Sequence, residues 1–203
     1  MKKALLILAT VLASALIVGS FALTQITPSK GQTQLNDNGY SDIGKILMRI
    51  DGIPGESKDA EHMDWIEILA FNWSEANKAL SRAGGAAAGK VEPEDFHLVK
   101  MYDKSSPRLF LYCASGKHIK SADLEVTRSY GEGYSYVFIK YNFEDVVITF
   151  YQTSGDINRY PGVLDEFSLN FAKLKVTYTL LNPSGLPDGQ VVASWDFVAN
   201  KGA

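Results

Sequence analysis

Apolar and polar residues alternate with a period of two through most of the chain beyond residue 43, the signature of half-buried strands. The cleanest run places Phe167, Leu169 and Phe171 on one parity, then Leu174, Val176, Tyr178 and Leu180 on the other. That slip of phase predicts a bulge near Ala172 and Lys173. Further strand-like runs cover 46–50, 65–73, 94–102, 124–128, 134–141, 146–151 and 191–198. In 65–73, Trp65, Leu69, Phe71 and Trp73 fall on one face, with Ile66 and Ile68 on the other. Turn signals punctuate the runs: Asp51, Gly52, Ile53, Pro54 and Gly55 form a cluster that neither strand nor helix tolerates. Gly131, Glu132 and Gly133 read as a hairpin link.

One stretch, 103–119, reads as a helix among these strands. Ser106 suits the N-cap, Pro107 the first helical position, and Gly116 a left-handed C-terminal stop. Between them Leu109, Phe110, Leu111, Tyr112, Cys113 and Ala114 leave no polar face. An all-apolar helix is expected to be buried, here as a plug against a sheet. Short strands around one helix predict a mainly β protein, an antiparallel barrel or sandwich.

The first residues have a different character. Lys2 and Lys3 precede an uncharged run from Ala4 to Leu23, with Ser20 and Ala22 as the small residues of a cleavage site. Residues 1–23 therefore read as a signal peptide or as an uncleaved signal anchor, and either one exports the domain. Residues 24–42 are polar and without apolar period, a linker, so the folded domain is expected over 43–203. Once the leader is set aside, about 180 residues suffice for one domain with a sizeable core. Net charge is −3, which argues against nucleic acid or anionic membrane as the main partner. Membrane contact is expected only through 1–23, if uncleaved. The single cysteine, Cys113, excludes an intrachain disulfide and is expected to be a buried hydrophobe.

Candidate chemistry is sparse. Gly84 to Lys90 spells G-x-x-x-x-G-K, but Val91 stands where a phosphate-binding loop needs a hydroxyl, and no helix follows. His62, His97 and His118 match no common zinc spacing, and one cysteine cannot complete a thiolate site. Ser115, His118 and Asp123 supply triad residue types without a nucleophile elbow. Asn72-Trp73-Ser74 is a glycosylation-type acceptor placed inside an expected strand. No cofactor, metal or catalytic residue is expected.

Several segments resemble one family in order along 45–201: IDGIPGESKD at 50–59 with His62, IEIL at 66–69, and Gly84 to Val91. The match continues through Asp95-Phe96-His97, through DKSSP at 103–107, and through CASGKHI at 113–119. YQTSG at 151–155, SLNFAK at 168–173 and Trp195-Asp196 with Asn200 complete it. These resemble the Hcp (haemolysin-coregulated) proteins, tube proteins of type VI secretion. The resemblance implies a two-sheet β-barrel with one helix, hexameric rings that stack into a hollow tube, a small effector protein in the lumen, and no enzymatic activity. Asn72 sits where the family has a small serine between two aromatics, a lumen-facing position. Gly52, Gly55, Glu56, Lys117 and His118 become candidates for subunit or ring contact. The long loops 51–64 and 76–90 are candidates for contact between rings. Asp103 and Lys104 join Lys117 and His118 at the expected rim. One feature departs from the family: its members that work within a sheath carry no signal peptide.

Two readings of another kind stand beside this one. An exported or anchored barrel could capture a small protein or ligand without forming a tube, or a hydrolase could use His97, His118 or Asp123.

Overall fold

The computed structural model describes residues 43–77, 80–82, 85–87, 91–130, 134–157, 162–184 and 186–202. The expected leader and linker lie outside the described residues. The first strands are β1 (Ile43–Ile50), β2 (Ile66–Ile68), β3 (Ala70–Asn72), β4 (Glu75–Asn77), β5 (Leu80–Arg82), β6 (Gly85–Ala87), β7 (Val91–Pro93) and β8 (Phe96–Met101). Helix α1 (Ser106–Ser115) follows, then β9 (Ile119–Tyr130), β10 (Tyr134–Gly155), β11 (Val163–Leu181), β12 (Pro187–Asp196) and β13 (Lys201–Gly202).

All pairings are antiparallel. They run from β2 through β1, β9 and β10 to β11. The far edge of β11 is shared by β8 over 164–169 and by β12 over 173–181. β8 also pairs with β3, and only Leu69 separates β3 from β2. The Leu69 N–H donates to the Val99 carbonyl at 2.8 Å. One short segment, 66–72, therefore closes the circuit of pairings by binding β1 with its first half and β8 with its second. The architecture is mainly β with one short helix among the described residues, as expected.

The inward positions fill with aromatic rings. Phe96, Phe143 and Phe171 are buried, with centroids 5.0 Å apart in T-shaped pairs, and Phe71, Tyr141 and Phe197 extend the cluster. Each such side chain removed from water contributes about 1.5–3 kcal/mol. Burial also pushes the Tyr141 hydroxyl pKa up.

Four expectations change. The strand expected over 65–73 switches partner at Leu69, so Ile66 and Ile68 point into the core while Leu69 is exposed and Phe71 and Trp73 turn inward. The runs 134–141 and 146–151 are one strand. Its break is only a local bend at Asp145, whose φ is +53°. The same bend explains the phase slip in β11, because Phe143 pairs with Leu174 and Val146 with Phe171, and all four are buried. Register is unbroken there; the irregularity of this ladder lies between Ile148 and Phe150, so no bulge forms at Ala172 and Lys173.

The fourth change concerns α1. Ser105 occupies the N-cap position, and Ser106 is buried in the first turn. Gly116 ends the helix at φ 60°, as expected. The helix packs through Leu109 and Tyr112, with Cys113 partly buried, but Phe110 and Leu111 are each 58% exposed. The run is apolar all round, yet only one face of it meets the sheet. Among the described residues no helix is long and apolar enough to cross a membrane.

Candidate functional site

The turn cluster after β1 folds back over the outer face of β1 and β9, and its residues are held by charge. Leu47, Glu125 and Lys140 lie on one face through the pairs Leu47 with Glu125 and Lys140 with Glu125. His62 descends onto this face. Its Nδ1 lies 2.8 Å from Asp59 Oδ1 and its Nε2 2.8 Å from Glu125 Oε2. Lys45 reaches Asp59 at 2.7 Å and Lys140 reaches Glu125 at 2.6 Å, which completes a ladder of five charged or titratable groups. Burial disfavours the imidazolium, but the hydrogen bonds and charges of Asp59 and Glu125 outweigh it and raise the His62 pKa. The hydrogen bonds from Lys45 and His62 hold the Asp59 carboxyl well below the usual carboxylate range.

This loop also meets the helix. Glu56 accepts the Lys104 N–H at 3.0 Å, Lys104 Nζ reaches Asp64 at 2.7 Å, and the Gly52 carbonyl accepts from Arg108 at 2.8 Å. Gly52 has φ 78°, and a Cβ there would meet the Tyr112 hydroxyl at 2.9 Å. Gly55, a candidate for subunit contact, is buried within the subunit: a Cβ would fall 2.3 Å from the Trp65 carbonyl oxygen. The backbone of Gly55 packs closely on that of Trp65 and Ile66. Lys117 is exposed and places Nζ 3.0 Å from the Tyr112 hydroxyl, above that ring. His118 is exposed and reaches Asp145 at 2.8 Å. Loop and helix therefore share one surface that carries Gly52, Glu56 and Lys104, with Lys117 at the other end of the helix.

Asn72 is exposed between the inward-turned Phe71 and Trp73 and pairs across β3 and β8 with the exposed His97. The described part of the glycine-rich pattern, Gly85–Ala87, is a strand paired with β5, and the next described segment, β7, is a strand paired with β4. Ser115, His118 and Asp123 are not brought together. Ser115 Oγ donates to the Leu111 carbonyl, His118 meets Asp145, and Asp123 binds Arg49 and Asn142. His97 bonds Ser168 Oγ at 2.6 Å. Among the described residues no group of His, Cys, Asp and Glu is placed to hold a metal ion. Two shallow grooves of about 480 and 460 Å³ share Asp145, Ala172 and Val198.

Two features escape sequence reasoning. The first is an open sheet edge. β13 pairs with β12 at Trp195 and Asp196, and among the described residues no second strand pairs with β12 at Val191 and Val192. Val191 and Val192 on it are 56% and 51% exposed, beside exposed Tyr178 and Leu180 on β11. The alternating pattern shows a strand there but not that it is an edge. The second is a buried charged node at Lys100 and Asp165, both 0% exposed and directly paired across β8 and β11. Lys100 Nζ lies 3.2 Å from Asp165 Oδ2, 2.8 Å from Asp103 Oδ1, 2.9 Å from Ser106 Oγ and 2.8 Å from the Met101 carbonyl. Ser106 Oγ and the Tyr151 hydroxyl both donate to Asp165. Burial, and then the bond to Asp165, push the Tyr151 pKa well up.

Comparison with known proteins gives one answer. A family model described as "Type VI secretion system effector, Hcp" matches residues 47–178. Protein hcp1 of Pseudomonas aeruginosa is 32% identical over 158 residues, covering 76% of this chain and 96% of that protein. The crystal structure of Hcp1 from Salmonella typhimurium superposes with a TM-score of 0.65 at 32% identity, over 78% of this chain and 98% of that one. A type VI secretion system effector from Yersinia pestis gives 0.60 at 30% identity, over 74% and 98%. The chain belongs to the Hcp family of type VI secretion proteins.

Proposed function

We propose that this chain is a structural subunit that assembles with copies of itself into hexameric rings, stacked as the hollow tube of a type VI secretion apparatus. The observation that carries the assembly is the edge of β12 at Val191 and Val192, both exposed and paired there with no second strand among the described residues. An unpaired, apolar edge is a template for another chain, and natural proteins cover it or charge it. A heterologous contact that closes by rotation covers the edge in every copy and leaves no end. Family membership favours this reading over a stand-alone binding module. Structural work without catalysis is part of the same reading, as is release from the cell.

Within the ring, Asn72 faces the lumen, where a small effector protein is carried. Gly52, Glu56, Lys117 and His118, with Gly55 setting the shape of the same loop, lie at contacts between subunits or rings. Residues 1–23 act as a signal peptide or anchor ahead of the linker 24–42, so this subunit works at or beyond the cell envelope. Replacing both Val191 and Val192 by lysine tests the edge. Light scattering after gel filtration is expected to show loss of the oligomer with an unchanged circular dichroism spectrum. Full assembly of that variant would overturn the role given to β12.

A further inference from the structure

The Lys100 node is not needed for any contact described so far, and its chemistry is unusual. An amine and a carboxyl from paired strands lie 3.2 Å apart, with neither side chain exposed. A second carboxyl, Asp103, stands 2.8 Å from the same nitrogen, and the Ser105 N–H, at 2.8 Å, and Ser105 Oγ hold it in place. Hydrogen bonds from Ser106 and Tyr151 to the two Asp165 oxygens fix the orientation of that carboxyl and draw electron density from its carbon. These are the parts of an amide-forming site: nucleophile, polarised electrophile and proton carrier, already oriented.

We propose that Lys100 and Asp165 join in an intramolecular isopeptide bond. Nζ attacks Cγ of Asp165, forming the C–N bond, and one carboxyl oxygen leaves. Of the three protons on the ammonium, one stays on the amide nitrogen. Two are transferred to the leaving oxygen, one of them by way of the Asp103 carboxylate, and the product is one water. Nothing is oxidised or reduced, and no co-reactant is required. The driving force is local. A buried ion pair carries a desolvation penalty for each charge, and a neutral amide in the same place does not. Water expelled from the node enters bulk solvent, which disfavours the reverse reaction. The bond ties β8 to β11 at the rung below the first turn of α1, where Ser106 enters.

The test is peptide mapping of the full purified chain after denaturation and trypsin digestion. The expected result is a single branched peptide joining the segment around Lys100 to that around Asp165, lighter by one water than the two together, with no cleavage after Lys100. Lys100→Arg keeps the charge but cannot form this bond, so its two segments are expected to separate. Asp103→Asn keeps the size of the side chain but removes the base, and a drop of tenfold or more in the linked fraction is expected. Separate, full-mass peptides with cleavage after Lys100 in the unaltered protein would overturn the proposal. So would an undiminished linked fraction in Asp103→Asn, for the role given to that carboxylate.

Discussion

The Lys100 node and the His62 ladder both pin an irregular segment to paired strands, and they do so under opposite conditions. The node fastens the start of α1 to β8 and β11 and is sealed: Lys100 and Asp165 are fully buried, and Asp103 is nearly so. The ladder fastens the loop after β1 to β9 and β10 and is open at both ends, where Lys45 and Lys140 reach solvent. Only the ladder contains an imidazole, the side chain whose ordinary pKa lies near neutrality. The contrast teaches that similar charged contacts serve differently according to burial. The node holds the start of α1 out of contact with water, whereas the ladder couples its loop to proton concentration through His62 and Asp59.

The largest expected effect breaks the node. Asp165→Ala removes the bond proposed between these residues and leaves the Lys100 charge buried with less to pair it, a loss of about 3–5 kcal/mol or more. Urea denaturation followed by fluorescence measures it, and a loss below 1 kcal/mol would place the node outside the stable core. The ladder should be weaker. His62→Ala strips a partner from Asp59 and Glu125 together, for which about 1–3 kcal/mol is expected. If it exceeds Asp165→Ala, the ranking by burial is wrong.

A smaller effect sharpens the comparison by pH. The pKa of His62 is raised in the folded chain above the ordinary 6.5. Its contribution is therefore complete below that value and is lost as pH rises through the folded pKa. Asp59 runs the other way: its pKa is lowered, so its contribution is present above the ordinary carboxylate range and is lost as pH falls through the folded value. The stability difference between the unaltered chain and His62→Gln should shrink steadily as pH rises above neutrality. A difference that stays constant with pH would show that the imidazole carries no extra proton in the fold. The smallest effect on a single subunit is expected for Lys117→Glu, since Lys117 is exposed. Its unfolding midpoint should hold while its oligomer weakens, and unchanged assembly would remove Lys117 from the contact.

Much of the fold was legible from the residues because it follows local rules. The alternation from Phe167 to Leu180 marks β11, and the Pro107 to Gly116 frame marks α1. What stayed hidden depends on partners far along the chain. Nothing near Leu69 signals that the strand trades β1 for β8, and nothing near Asp145 separates a bend from a turn. Composition made α1 look buried on every side, but the face that meets the sheet carries Ser106, Leu109 and Tyr112, with Cys113 at its margin. Lys100 and Asp165 are paired only by the register of β8 on β11, so neither stood out as a site. The same holds for exposure: Gly55 lies in a turn-rich loop and is buried, while Val191 and Val192 read as ordinary strand and lie at an edge where no second described strand pairs with them.

The central claim is self-assembly into rings, and negative-stain electron microscopy of the purified chain over a range of concentrations tests it most directly. Six-fold rings, with stacks at high concentration, are the expected result. Monomers at every concentration would contradict it.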